Sequence, residues 1–297
     1  MSMLNNCTLC PRNCGVDRTK TTGFCGATDK IKIARAALHF WEEPCISGSR
    51  GSGTVFFSGC NLACRFCQNY SISRECFGKE ITPERLGQIF TELQAQGAHN
   101  INLVTPTPYI PLILQAWERV RAQMEIPFVA NLGGYEKPQV VELLGKCADI
   151  FLTDIKYKSP QIAKELSNAQ DYFEHSMDSL ERMLDICGRP RLDEHGIMKS
   201  GVIVRHLVLP GYRKDSLDVL CALKERFGTD SFILSLMSQY TPNGHLDDLP
   251  SLNRPITSFE YNTVVSKALD LGFDTAYVQE KSSAKEEYTP PFDLTGV

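Results

Sequence analysis

The chain has 297 residues, enough to bury a sizeable core in one large or two small domains. A net charge of −4 leaves no basic footprint and argues against a nucleic-acid partner. No apolar run approaches the about 18 residues that span a bilayer, and Met1-Ser2-Met3-Leu4-Asn5-Asn6 lacks the basic and apolar regions of a signal peptide, so a cytoplasmic protein is expected.

Residues 1–50 read as a small Cys-rich N-terminal module and residues 51–297 as the main domain. Ser47-Gly48-Ser49-Arg50-Gly51-Ser52-Gly53 is the linker between them. From Thr54 the chain alternates strand and helix. Thr54-Val55-Phe56-Phe57 is the first strand, with Ile101–Val104, Pro127–Ala130, Ile150–Thr153, Val202–Leu209 and Phe232–Leu236 following and Ala276-Tyr277-Val278 as a short last one. Helices are expected from Pro83, capped by Thr82, to Gly97, then over Tyr109–Met124, Pro138–Cys147, Ser176–Cys187, Asp215–Phe227 and Thr257–Leu271. Residues 157–200 are the least regular stretch. Nearly continuous apolar strands separated by helices predict a parallel sheet covered by helices. Such sheets bind ligands beyond the strand C-termini, where Thr105, Thr107, Asn131, Asp154 and Lys156 fall.

The chain has 12 cysteines, and eight of them precede residue 68. Clustering of this kind favours metal ligation over crosslinking. Cys60, Cys64 and Cys67 follow the first strand at C-x3-C-x2-C spacing. Three thiolates this close can hold three irons of a cubane, leaving the fourth iron open to a small molecule. An incomplete zinc site or buried small side chains are the alternatives. Cys7, Cys10, Cys14 and Cys25 offer four more thiolates among turn formers. Zinc, a second iron–sulfur cluster and four reduced thiols all remain open there. His39 and Cys45 are read as structural.

The cysteine loop with its preceding strand and with Phe66 before the last cysteine resembles the radical S-adenosylmethionine (SAM) superfamily. Arg50–Cys60, Cys67-Gln68-Asn69, Cys10-Pro11-Arg12-Asn13-Cys14 and Arg205–Gly211 are more specifically similar to an uncharacterised group named after the pyruvate formate-lyase activating enzymes. The likeness covers essentially the whole chain. It implies an α/β fold, the partial (β/α)6 radical SAM barrel. It also implies a [4Fe–4S] cluster on Cys60, Cys64 and Cys67, SAM as cofactor, and a flavodoxin- or ferredoxin-like electron donor. Phe66 matches the aromatic position beside the SAM adenine. Asp154 and Lys156 resemble the Asp-x-Lys of glycyl-radical activating enzymes, in which the lysine meets the SAM carboxylate. Arg205 matches an arginine that contacts SAM, whereas His206 reads as a structural histidine. The implied reaction is reductive cleavage of SAM to a 5'-deoxyadenosyl radical that takes hydrogen from a glycine of a partner enzyme. A small-molecule or other peptide substrate is the second reading, and a scaffold or electron carrier without SAM chemistry the third. One departure stands out. Family members often carry Gly-Gly-Glu after the second strand, to bind the SAM amino group, where this chain has Thr105-Pro106-Thr107-Pro108. Thr105 and Thr107 are the substitute contacts expected there.

Overall fold

The computed structural model describes residues 2–242, 246–279 and 289–297. Its strands are β1 (Ile31–His39), β2 (Ser52–Phe57), β3 (Lys79–Ile81), β4 (Ile101–Val104), β5 (Phe128–Leu132), β6 (Ile150–Asp154), β7 (Arg191–Leu192), β8 (Met198–Leu207), β9 (Ile233–Met237) and β10 (Tyr277–Val278). Its helices are α1 (Ser2–Asn5), α2 (Pro44–Ser47), α3 (Tyr70–Ser73), α4 (Pro83–Ala95), α5 (Ile110–Val120), α6 (Pro138–Leu144), α7 (Pro160–Ser167), α8 (Tyr172–Cys187), α9 (Arg213–Phe227) and α10 (Ser258–Leu271).

One sheet runs β10-β9-β8-β6-β5-β4-β2-β1-β3. Neighbours from β2 through β10 are parallel, as their near-continuous apolar sequences require. β1 and β3 add to the β2 edge antiparallel, and β7 makes a short antiparallel pair with β8. The sheet is an open, partial barrel whose β3 and β10 edges do not pair among the described residues.

Strand alternation sorts the core into two faces. Val55, Leu103, Ala130, Phe151, Val204 and Leu234 point outward to the helices, where Leu86, Phe90, Ile113, Val141, Leu180 and Val264 cover them. Val129, Ile150, Leu152, Ile203 and Ile233 point inward and are plugged by Cys45 and Ile46 of α2. Above this apolar floor the inward positions turn polar, and the site begins there. Caps fix where the helices start. The Thr82 hydroxyl accepts from the Arg85 N–H at 3.2 Å, and Thr257 with Glu260 forms a capping box on α10.

Besides β3, β7 and the short helices α1, α2 and α3, which the sequence pattern does not mark, three elements depart from expectation. The sequence pattern marks no strand before Thr54, yet β1 spans Ile31–His39. Its alanines are poor strand formers, and pairing with β2 overrides that propensity. Residues 157–200 contain α7, whose Ser159 cap the pattern does not mark, and α8 begins at Tyr172 rather than Ser176. Among the described residues no helix is long and apolar enough to cross a membrane.

Candidate functional site

The loop leaving β2 carries Cys60, Cys64 and Cys67. Gly59 starts it at φ +87°, and a Cβ there would lie 2.5 Å from the Cys25 carbonyl oxygen. The backbone of the N-terminal stretch thus packs directly under the cysteine loop. Donors surround the sulfurs. The Leu62 N–H donates to Cys60 Sγ at 3.4 Å, the Ser167 hydroxyl donates to Cys64 Sγ at 3.0 Å, and Ser73 Oγ lies 3.3 Å from Cys67 Sγ. Ala63 and Arg65 donate backbone N–H groups to the Ser167 and Leu166 carbonyls, so the end of α7 braces the loop. Burial, and then the nearby Cys64 and Cys67, push the Cys60 thiol far up. Burial raises Cys64 too, against the opposing pull of Lys156.

Neighbouring thiols that resist ionisation, each with a donor at its sulfur, fit a group whose positive charge would stabilise thiolates. Among the described residues no three donors converge on a single ion's distance. Cubane thiolates have no such requirement, since each binds a separate iron.

Above the loop, charges converge from four elements. Arg205 on β8 donates from Nε to Asp154 Oδ1 at 2.9 Å, from Nη2 to Asn131 Oδ1 at 2.6 Å and from Nη1 to Glu42 Oε2 at 3.3 Å. Lys156 pairs with the other Asp154 oxygen. Burial alone would raise the Asp154 carboxyl, but Arg205 and Lys156 hold it below the ordinary carboxylate range. Burial works against the Lys156 ammonium as well, yet Asp154 and Cys64 keep its pKa above that of an ordinary lysine. Asp154, Lys156, Arg205 and Asn131 are therefore one network beside the cysteine loop. Phe66 lies next to it, 7% exposed and packed edge-on against Tyr157 at 6.4 Å.

The two threonines behave differently. Thr107 donates its hydroxyl to Glu136 Oε1 at 3.0 Å. Thr105 holds φ +59°, a strained backbone for a β-branched residue, and its N–H donates to the Asn131 carbonyl at 2.9 Å. His206 is buried with Nδ1 2.6 Å from the Ile155 carbonyl oxygen, and burial lowers its pKa to about 4. Nδ1 is thus engaged, but Nε2 is buried without a hydrogen-bond partner among the described residues, so His206 is not the fully satisfied structural histidine expected.

Sequence reasoning missed three acids. Glu42 accepts from Asn102 at 3.0 Å and Asn131 at 3.3 Å as well as from Arg205. Glu43 and Glu136 are each buried with one oxygen lacking a hydrogen-bond partner among the described residues. Burial pushes the Glu136 carboxyl up to about 7. The signal for Glu136 was present: Gly133-Gly134-Tyr135-Glu136 directly follows β5. Glu42 and Glu43 follow a strand that the pattern does not mark, so nothing placed them in the barrel.

The N-terminal cysteines lie together. Burial pushes the Cys10 thiol up to about 12, with Cys25, Cys14 and Cys7 adding to it. Arg18 is buried and donates to the Ala27 carbonyl at 3.2 Å and the Pro108 carbonyl at 2.5 Å. Lys137 donates to the Thr8 carbonyl at 2.9 Å. Both side chains tie the Cys-rich stretch to loops at the barrel mouth.

A cysteine loop at the C-terminal end of a parallel strand, with an ion network across the mouth of an open barrel, has direct counterparts. A profile of the radical SAM superfamily matches residues 54–223. The chain belongs to the radical SAM superfamily. An uncharacterized protein of Methanocaldococcus jannaschii is 30% identical over 284 residues, covering 91% of this chain and 75% of that protein. Among solved structures, the FeFe-hydrogenase maturase HydG of Carboxydothermus hydrogenoformans aligns with a TM-score of 0.51 at 13% identity, covering 73% of this chain and 50% of that one. Methylornithine synthase PylB aligns with a TM-score of 0.50 at 13% identity, covering 73% of this chain and 60% of that one. The chain thus spans about half to three fifths of the length of these solved chains. At this identity they show the shared radical SAM fold. As a radical SAM enzyme the chain uses a [4Fe–4S] cluster and SAM.

Proposed function

We propose that Cys60, Cys64 and Cys67 hold the [4Fe–4S] cluster and that SAM binds over it in the barrel mouth. When bound, the reduced cluster supplies the electron that cleaves the SAM sulfonium to methionine and a 5'-deoxyadenosyl radical. The carrying observation is the part-buried Asp154–Lys156–Arg205 network beside Cys64. Lys156 is the cation for the SAM carboxylate, with Asp154 orienting it. Asn131 and Arg205 fix the polar wall, Phe66 flanks the adenine side, and Thr105 sets the loop after β4.

Glu136 takes the part of the absent Gly-Gly-Glu carboxylate. It arrives from the loop after β5 instead of the one after β4, held by the Thr107 hydroxyl. A buried carboxylate with a free oxygen is a fitting acceptor for the SAM ammonium.

The radical then takes hydrogen from a glycine of a partner enzyme, with an external flavodoxin- or ferredoxin-like donor reducing the cluster. The Asp154-x-Lys156 resemblance to activating enzymes supports this substrate. A small molecule or another peptide residue is the second reading, favoured by the cavity beside Arg205. Cys7, Cys10, Cys14 and Cys25 bind a second cluster or zinc and form, with the residues around them, the N-terminal module; the lack of three donors at a single ion's distance among the described residues favours the cluster.

The test is anaerobic reconstitution followed by electron paramagnetic resonance with and without SAM. A SAM-shifted signal with 5'-deoxyadenosine formed is expected. A signal indifferent to SAM, with no product, overturns the proposal and leaves an electron carrier. Deuterium transfer from a labelled glycyl peptide to 5'-deoxyadenosine decides the substrate.

A further inference from the structure

A cavity of about 260 Å³ opens between the segment after β1 and the ends of β9 and β10. Phe40, Trp41, Glu43, Arg205, Gln239 and Tyr277 line it. It adjoins the cysteine loop, because Gln68, next to Cys67, donates to the Gln239 carbonyl at 3.1 Å. Its volume lies below the range of about 300–1,000 Å³ usual for drug-sized ligands and suits one side-chain-sized group.

The acids around it outnumber the cations, and one of them makes no direct ion pair among the described residues. Glu42, Glu43 and Asp154 are three carboxylates, and Arg205 and Lys156 are the two cations. Lys156 pairs with Asp154, and Arg205 bonds Asp154 and Glu42. Glu43 is 8% exposed, and its Oε2 has no hydrogen-bond partner among the described residues. Burial pushes its carboxyl up, and the nearby Arg205 charge, a backbone N–H and the Ser235 hydroxyl oppose that only in part. A buried carboxylate with no direct ion pair is costly to ionise, and a ligand cation beside it removes that cost. At the opening, Phe40 and Trp41 are 50% and 51% exposed. Aromatic faces attract ammonium and guanidinium groups and cover their alkyl stems.

We infer that this cavity binds a cationic alkyl group, an ammonium or guanidinium, with Glu43 as its counter-ion and Phe40 and Trp41 along its stem. The group comes from a free alkylamine or from a lysine or arginine side chain of a peptide. Its part as the substrate anchor rests on the SAM site proposed above; its binding does not.

The experiment is calorimetry on the reconstituted protein, with and without SAM. The probes are pentylamine, N-acetyl-lysinamide and, as a neutral control, pentanol. Saturable binding of a cation at least tenfold tighter than pentanol is expected, and Glu43→Gln should abolish that preference while SAM binds as before. Trp41→Ala, at a half-exposed ring, should weaken the cation three- to tenfold and guards against a folding defect in the first variant. Tighter binding of pentylamine assigns a free amine, and tighter binding of N-acetyl-lysinamide a peptide side chain. Three results overturn the inference: equal affinity for pentanol, an unchanged cation affinity in Glu43→Gln, or equal weakening of SAM in that variant, which would give the cavity to the adenosyl group. Cation binding in a protein that ignores SAM would defeat the proposed function and leave this site standing.

Discussion

Arg12 donates from Nε to the Asn61 carbonyl at 2.9 Å, so a residue between two N-terminal cysteines holds the backbone of the cysteine loop. The same guanidinium reaches the Ser167 carbonyl at 3.3 Å and lies 3.9 Å above the Phe24 ring. Ser167 in turn donates to Cys64. One side chain therefore fastens the loop, the end of α7 and the Cys-rich stretch together.

Arg12→Ala should leave the sheet intact and loosen this junction. Lost hydrogen bonds to carbonyls are worth about 1–3 kcal/mol in total. The measurable result is faster loss of iron to a chelator from the reconstituted protein, with a lower melting temperature. Equal rates of iron loss in parent and variant would show that the loop holds itself.

The Glu136 carboxyl makes stability depend on pH. Burial raises it from 4.5 to about 7. Between those values the folded chain binds more protons than the unfolded one, so its stability contribution falls as pH rises and levels off above about 7. The full effect is of order 3 kcal/mol. Chemical denaturation of the metal-free chain at about pH 5 and about pH 7.5 should show this loss, and Glu136→Gln should remove most of it. A slope unchanged in the variant would place the titration elsewhere.

Asp154 and Lys156 should not be equivalent on removal. Asp154→Asn strands the part-buried Lys156 ammonium and leaves Arg205 with Glu42 as its one carboxylate partner among the described residues, a loss for which about 3–5 kcal/mol is the ceiling. Lys156→Met leaves Asp154 still bonded to Arg205 at 2.9 Å and should cost less. Urea unfolding ranks the two, and the reverse order would mean that Arg205 does not share the carboxylate in solution.

The cysteine sets should separate by metal analysis. Cys64→Ala should lose the SAM-sensitive signal, whereas Cys10→Ala should keep it. If the N-terminal quartet holds a second cluster, Cys10→Ala should drop iron from about eight to about four per chain. If it holds zinc, iron should stay at about four and zinc should be lost. A Cys10→Ala protein with unchanged metal content would make the quartet plain thiols.

Gly134→Ala probes the floor of the SAM site proposed above. A Cβ there would lie 2.0 Å from the Asp154 carbonyl oxygen, and φ is +85°. The strand end must shift, so weaker SAM binding with a lower melting temperature is expected. Unchanged SAM affinity would mean that Asp154 tolerates displacement.

The parallel core was legible because each strand is an apolar run of the right length between helix signals. Phe151 and Leu152 show the limit of that signal. Both are fully buried, one outward under helices and one inward over α2, and composition alone does not tell the faces apart. Cys60, Asp154, Lys156 and Arg205 stood out as candidates because their chemistry sits at strand ends or inside an apolar strand, and the last three do form one network. Glu42 and Glu43 did not, because they lie in a segment whose path is set by the distant pairing of β1 against β2, of which local pattern carries no trace. Glu136 had a local signal in Gly133-Gly134 after β5, but the approach of Gly134 to Asp154 that turns it inward is again a distant contact.

The superfamily match begins at residue 54, whereas Glu42 and Glu43 lie before it. In our reading, radical generation and ligand choice are therefore written in separate stretches of one gene product. On that reading, changing Glu43 in the segment after β1 would alter what the cavity accepts while the cysteine loop keeps its own sequence. Glu42, one residue earlier, is the joint between the two, since it accepts from both Asn131 and Arg205.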